Sequence, residues 1–521
     1  MTTLCDLVQR CYERYASSRA IFAADRWLSF AELEELTARL VSSLADLGVG
    51  AGDRVVVAVE NRPELVAIDH ALFTSGTVRV ALSPRLHASE VAAIADDCQA
   101  KVLVCEPALS QALGWEQRTG VSRRPAIVTT APAPGAVATL DELASCHQGK
   151  FETAPPAPEE PAAIMYTSGS TGKPKGAVVT HRGWVGMVQA LWAELPPIGP
   201  EDVVVHVAPM SHFSGSVGSA YTLHGAGTVA LSQFRPHDVL EAIRRHHATA
   251  VPLVPTMLKD LVAAAESSSC DLRSLRALPY GGAAISPTAL ERAYQVFGEV
   301  LYQFYGLAEA LVPLTALSAR EHRVEQPGLL PERLVSAGRP TPKVALRIVD
   351  GSGRRLKPGE VGEIQVQGEV VTPGYWDRPR ETAEAFVGSW FKTGDLGTFD
   401  ADGYLRILDR IRDVIVTGGF TVHAAEVEQA IESLDAVAEV AVVGAPSERW
   451  GEAITAVIVP KPGNNVSAED IVRVCRSRLA SYKQPRRVEF VTSLPRTSTG
   501  KINRRAVREP FWRGRARSIG E

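Results

Sequence analysis

Short runs rich in valine and alanine alternate with segments of helical spacing early in the chain, and this rhythm constrains the fold more than any other feature. RVVVAVE (54–60) reads as a buried strand, ELVAIDHALFTSG (64–76) as a helix with a glycine near its end, and VRVALS (78–83) as a strand. SEVAAIADDCQA (89–100) and KVLVCE (101–106) continue as helix and strand. Apolar strands separated by helices predict an α/β fold with largely parallel sheets, because a parallel pair needs a crossover that a helix supplies. A boundary is expected near LDRIRD (408–413). Beyond it, AAEVEQAIESL (424–434) has helical spacing, VAEVAVVGA (437–445) and AITAVIVP (453–460) read as strands, and SAEDIVRVCRSRLASY (467–482) as a helix capped by Ser467. The expected architecture is a large N-terminal domain of layered mixed sheets with helices, 1–408, and a small mobile C-terminal α+β domain, 409–521. The Pro/Ala-rich segment 151–163 reads as a spacer, since strand material resumes at once in IMYT, and the six arginines of NRRAVREPFWRGRARSIGE as a solvated, mobile end, with a contact to a phosphate or an acidic protein as the second reading.

With 521 residues, more than one folding unit is expected, and 45% hydrophobic with 22% charged residues is the balance of a soluble globular protein. A net charge of -4 gives no general attraction to nucleic acid or to an anionic membrane. No apolar stretch reaches membrane-spanning length, and the N-terminal MTTLCDLVQRCYERYASSR lacks the basic-then-apolar order of a signal peptide. The seven cysteines are scattered without CxxC spacing, which points to reduced thiols in a cytoplasm, buried as small hydrophobes, and away from zinc.

The segment YTSGSTGKPKG (166–176) has the composition of an anion cradle. Glycines let backbone amides approach an oxyanion, Thr167, Ser168, Ser170 and Thr171 add hydroxyl donors, and Lys173 and Lys175 add charge. It is not a Walker loop. That loop needs a hydroxyl after its lysine and a helix start there, whereas Lys173 is followed by Pro174, which has neither hydroxyl nor N–H. A flexible linker is the plain alternative. The flanking apolar runs AAIMY and AVVT favour a phosphate-binding loop between two strands.

This loop resembles the signature of the adenylate-forming enzymes: acyl- and aryl-CoA synthetases, luciferases and adenylation domains. Further segments resemble the family in order over nearly the whole chain: SFAELEELTARLVSSLADLGVGAGDRV (29–55), APMSHFSGS (208–216), YGGAAIS (280–286), FYGLAEA (304–310), WFKTGDLG (390–397), LDRIRD with TGGFTVHAAEVE (417–428), and LPRTSTGKINR (494–504). The resemblance implies a two-step reaction. A carboxylate attacks the α-phosphate of ATP to give an acyl-adenylate and pyrophosphate, and a thiol then takes the acyl group and releases AMP.

It also implies roles. Thr167, Ser168, Gly169, Ser170, Thr171, Gly172 and Lys175 would hold the β- and γ-phosphates. Tyr305 would stack on adenine in a slot lined by Gly281, Gly282, Ala283 and Gly306. Glu309 would hold Mg2+, and Asp395 would accept both ribose hydroxyls, with Arg410 donating to the ribose. Lys501 would bridge the carboxylate and the α-phosphate as charge shifts between them. His212 would line the acyl site with Phe213, Gly282 and Gly306. Gly418 and Gly419 would wall the path of the thiol, and Arg412 would be the hinge. Taken singly, Asp395 reads as a turn residue, Lys501 as a solvated lysine and His212 as a structural histidine. RRHH (244–247) reads as the basic end of a helix.

Departures from the family pattern are Ala308 for a usual Thr, Arg412 for Asp or Lys at the hinge, and His423-Ala424 for a frequent Tyr-Pro. Amino-acid-activating members place an Asp after the Pro-x-x-His element to pair an α-ammonium; here Phe213 stands there, and an unpaired buried ammonium would be costly. Phe213 with the small Ser214, Gly215 and Gly218 suits a flat or short apolar acid. The substrate expected is an aryl or cinnamate-type acid, with short to medium fatty acids second. The acceptor is coenzyme A or the phosphopantetheine of an acyl carrier protein. A nucleotide-binding regulator without catalysis is the reading from another class, and retention of Lys501, Asp395 and Glu309 counts against it.

Overall fold

A computed structural model describes residues 2–115, 124–145, 154–168, 174–326, 328, 330–418, 420–497 and 501–513, the side chains of Ser168, Arg412 and Thr421 aside. The chain falls into two compact units, residues 1–345 with 366–391, and residues 346–365 with 392–521.

The first unit is organised by a seven-stranded sheet in the order Ala138–Thr139, Ala126–Thr129, Val102–Cys105, Arg54–Ala58, Val78–Ala81, Pro161–Ser168, Pro174–Thr180. Every pairing is parallel except the last, an antiparallel hairpin. The helices Glu64–Thr74 and Ala88–Asp97 make the crossovers. Val56, Val80, Leu103 and Ile164 interlock with Val91, Ile94 and Cys98 in one core, each at most 3% exposed. The continuous apolar runs are therefore strands covered on both faces. A second sheet joins Val203–His206, Gly227–Ala230, Arg19–Ala23 and Arg26–Ser29, and a third joins Leu278–Gly281, Leu301–Tyr305, Thr315–Leu317 and Arg339–Pro340. The basic run at 244–247 does end a helix: Pro236–His246 carries Arg244, Arg245 and His246 in its last turn.

The second unit carries the hairpin between the end of Trp390–Phe399 and Leu405–Arg410, turned at Asp402-Gly403, with Gly403 at φ +81. It also has a sheet ordered Phe420–Val422, Ile415–Thr417, Gly451–Pro460, Val437–Ser447, with Arg487–Phe490 added on Gly451–Pro460. Helices Ala424–Glu432 and Ala468–Arg478 cover it through Val427, Ile431, Ile471 and Cys475. Ser467 caps the second of these in a reciprocal box with Asp470, as its sequence predicts.

One expectation is corrected, and one plain alternative fails. The arginine-rich end is not all solvated: Arg504–Trp512 is a helix whose Val507 is buried, whose Arg504 pairs with Glu428, and whose Trp512 Nε1 donates to Gly444 O at 2.8 Å. Val507 and Phe511, four residues apart, give it an apolar stripe that the arginine count hides. Asp395 sits within a strand rather than in a turn, 3% exposed.

Candidate active site

In the first unit, Thr167 pairs with Lys175 and Tyr166 with Gly176 across the hairpin, so the signature segment joins two strands. Tyr166 anchors it, donating to Asp97 Oδ2 at 2.6 Å, while Asp97 is ion-paired to Arg378. Gly176 is required by close approach: a Cβ there would lie 2.4 Å from Ile164 Cγ2. Gly169, Ser170, Thr171, Gly172 and Lys173, with the side chain of Ser168, lie outside the described residues.

Glu309 lies beside this hairpin. Its Oε1 accepts from Thr167 Oγ1 at 3.5 Å and from the Tyr375 hydroxyl at 3.1 Å, and its carbonyl accepts the Thr372 N–H at 2.7 Å. Residues 374–376 run along the free edge of Pro174–Thr180, through Val178 N to Gly374 O at 3.0 Å and Trp376 N to Gly176 O at 2.8 Å. Lys175 Nζ stands 5.6 Å from the Tyr375 ring centroid. Burial, and then the Glu309 charge, push the Tyr375 phenol well above its ordinary pKa, so it stays a donor. Tyr375 was not among the residues that the sequence singled out. TPGYW reads as a turn, and only the fold brings it to Glu309.

The slot expected for adenine starts where two parallel strands end together, Gly281 opposite Phe304, with Tyr305 next. Gly281 is packed so closely that a Cβ would lie 2.4 Å from Phe304 O and 3.4 Å from Phe213 Cε2. Gly282 follows at φ +87, and Gly282 and Ala283 are exposed. Gly306 backs onto Val312, and Tyr305 is half-buried.

Phe213 opens the helix Phe213–Thr222, with His212 at its N-cap and His212 Nδ1 2.7 Å from Ser211 Oγ. The small residues after Phe213 do not widen its surroundings. Ser214 Oγ bonds His206 Nδ1 at 2.7 Å, a Cβ on Gly215 would strike Met210 O at 1.9 Å, and one on Gly218 would strike His206 Cε1 at 2.3 Å. Gly215 and Gly218 face a cavity of about 30 Å³, on the helix face turned from Phe213, with Asp69 and His70 in its wall. That is room for about one water. Burial pushes the pKa of His206 down to about 4, so it is a neutral packing residue.

In the second unit, Asp395 and Arg410 are register partners, with Arg410 Nε 3.2 Å from Asp395 Oδ1. The Asp395 side chain is 5% exposed and that of Arg410 44%. Lys501 keeps an exposed face, yet crowding and then the Arg410 charge push its pKa below the ordinary lysine value, with Asp395 opposing. The Lys501 N–H donates to Thr497 Oγ1 at 3.2 Å and its carbonyl accepts Thr497 N–H at 2.7 Å. Gly418, at φ +56, donates to Trp450 O at 2.8 Å, and a Cβ there would meet the Trp450 ring at 2.8 Å. Gly419 and the side chain of Arg412 lie outside the described residues. Among the described residues, no group of three or more His, Cys, Asp or Glu could hold a metal ion.

Residues 8–376 match the AMP-binding enzyme family, and residues 426–501 match the AMP-binding enzyme C-terminal domain. The chain belongs to the AMP-binding enzyme family. A medium/long-chain fatty-acid–CoA ligase of Mycobacterium tuberculosis is 34% identical over 98% of this chain and 90% of its own length. A feruloyl-CoA synthase of Amycolatopsis is 35% identical over 93% of this chain and 94% of its own. Among solved structures, the amide bond synthetase of Marinactinospora thermotolerans superposes with a TM-score of 0.86 at 30% identity, over 97% of this chain and 99% of that one. The o-succinylbenzoate–CoA synthetase of Bacillus subtilis with its acyl-adenylate gives a TM-score of 0.84 at 28% identity, over 97% and 98%. As an AMP-binding enzyme this protein is an AMP-forming acid–thiol ligase, which forms an acyl-adenylate from ATP and then a thioester. No described helix is long and apolar enough to cross a membrane.

Proposed function

We propose that this AMP-binding enzyme activates an aryl or cinnamate-type acid and transfers it to coenzyme A. The observation that carries the substrate class is the approach of the Phe213 ring to Gly281, its Cε2 3.4 Å from a Cβ built on that glycine, which puts a flat apolar edge rather than a carboxylate at position 213. The feruloyl-CoA synthase relative supports the same class. A second reading, a fatty acid delivered to coenzyme A or to carrier-protein phosphopantetheine, is supported by the mycobacterial ligase and by a fatty acid–acyl-carrier-protein ligase of Streptomyces coeruleorubidus, 34% identical over 96% of this chain and 95% of its own length.

The chemistry follows from charge. Carboxylate and triphosphate repel, so attack needs fixed donors and cations. Lys175, Thr167 and the rest of the signature segment are assigned to the β- and γ-phosphates, Tyr305, Gly281, Gly282, Ala283 and Gly306 to adenine, and Asp395 with Arg410 to the ribose. Lys501 is assigned to the charge that moves from carboxylate to α-phosphate, and His212 to orienting the acid. Glu309, with one carboxylate and two hydroxyls around it, fits the way Mg2+ is held by a protein carboxylate and substrate phosphates together. The ion would supply neutralisation of the phosphate oxygens. For the second half-reaction the chain turns at Arg410–Arg412, so that residues 409–521 move against 1–408 and Gly418 and Gly419 replace Lys501 at the adenylate.

Pyrophosphate release over a panel of acids, followed by AMP release with coenzyme A, tests this reading. Cinnamates and benzoates should exceed fatty acids of equal carbon number. Preference for fatty acids, or AMP release that needs an amine instead of a thiol, would contradict it.

A further inference from the structure

The helix Ala424–Glu432 starts without a cap of its own: His423 stands at the N-cap and makes no side-chain capping bond. A helix start leaves amides that need acceptors. Here one acceptor comes from a distant strand end. Asp409 Oδ2 accepts the Ala424 N–H at 2.7 Å, and Asp409 Oδ1 accepts the Arg410 N–H at 2.8 Å. Asp409 is 6% exposed, so both bonds form out of bulk water. Arg410 is also the cross-strand partner of Asp395. One buried carboxylate therefore ties a helix start to the strand end that presents this pair.

We propose that Asp409 is a positioning residue for ATP: its ionised carboxylate fixes the backbone of Arg410, and through it the Asp395–Arg410 pair, and protonation loosens that hold. The proposal rests on reading Asp395 and Arg410 as the ribose contacts.

Among the described residues, two charges act on Asp409. Arg504, on the helix Arg504–Trp512, is the favourable one, and it is shared with Glu428 of Ala424–Glu432, with which it is ion-paired. Asp413, in the turn after Arg410, is unfavourable. His423 interacts with Glu426 and Lys483 instead. Burial outweighs the help from Arg504 and the two amides and pushes the Asp409 pKa up to about 6. A protonated carboxyl turns one acceptor oxygen into a donor, so one of the two amides loses a good partner.

The experiment compares kcat/KM for ATP in the parent protein and in Asp409→Asn, which has the same shape, one acceptor oxygen and no titration. At neutral pH and above, the variant should show an ATP KM about tenfold higher, the effect of losing one bond to a charged acceptor. The ratio of variant to parent should climb toward one as pH falls through about 6, since the protonated parent then resembles the variant. Taking the ratio cancels the ionisation of ATP itself. A ratio that stays flat with pH, or an unchanged ATP KM, overturns the proposal. Should the variant fail to fold, the backbone amide signals of Arg410 and Ala424 in the parent decide: they should titrate together with a midpoint near 6, and no shared titration overturns the proposal. Asp395→Ala, run alongside, separates the two claims. An unchanged ATP KM in that folded variant would sink the ribose assignment, whereas the amide titration stands or falls without it.

Discussion

The hydroxyl of Tyr375 donates to Glu309 Oε1 at 3.1 Å, across 66 residues of sequence. That bond orients the carboxylate assigned to Mg2+, and Tyr375 stays protonated because burial and the Glu309 charge both raise its pKa. Tyr375→Phe removes the donor and little else. The expected result is a magnesium requirement for pyrophosphate release raised about tenfold, from the loss of one hydrogen bond to a charged group. Magnesium dependence like that of the parent would take Tyr375 out of the site.

Phe213 carries the substrate assignment. Its ring edge lies in van der Waals range of a Cβ built on Gly281, and truncation should open the slot there. Phe213→Ala is expected to shift preference from flat toward bulkier or longer acids, by about 10-fold in relative kcat/KM for a substantial change of pocket volume. An unchanged order of preference would mean that the ring is only a packing residue.

Much of this was legible beforehand, for a definite reason. Strands such as Arg54–Ala58 and helices such as Ala468–Arg478 are set by local apolar spacing and caps, which sequence displays directly. The ordered motifs displayed the family in the same way. What stayed hidden depends on distant partners. Tyr375 acquires its role from Glu309, Asp409 from Ala424, and Arg504 from Glu428. Gly215 and Gly218 were misread for a related cause: small residues on a helix either open a pocket or admit a neighbour, and here Met210 and His206 fill the space.

His206 makes a pH prediction. Burial holds its pKa near 4, below the ordinary 6.5, so the folded state favours the neutral ring. Its contribution to stability is therefore complete above about 6.5 and is lost as pH falls toward 4. One such group gives a slope of about 1.4 kcal/mol per pH unit in that window. Chemical denaturation of His206→Gln should show a shallower loss of stability on acidification by about that amount. Equal slopes in the two proteins would show that His206 titrates in the fold as it does in the unfolded chain.

The central claim is two half-reactions with different demands on Lys501, and separating them tests it most directly. In Lys501→Ala, acid-dependent ATP–pyrophosphate exchange should fall by about 10²–10³, the usual loss for a key charge stabiliser. The same variant, given the preformed acyl-adenylate, should still make thioester with coenzyme A at close to the parent rate. Loss of both half-reactions to the same extent in a folded Lys501→Ala, or survival of exchange, would contradict the account.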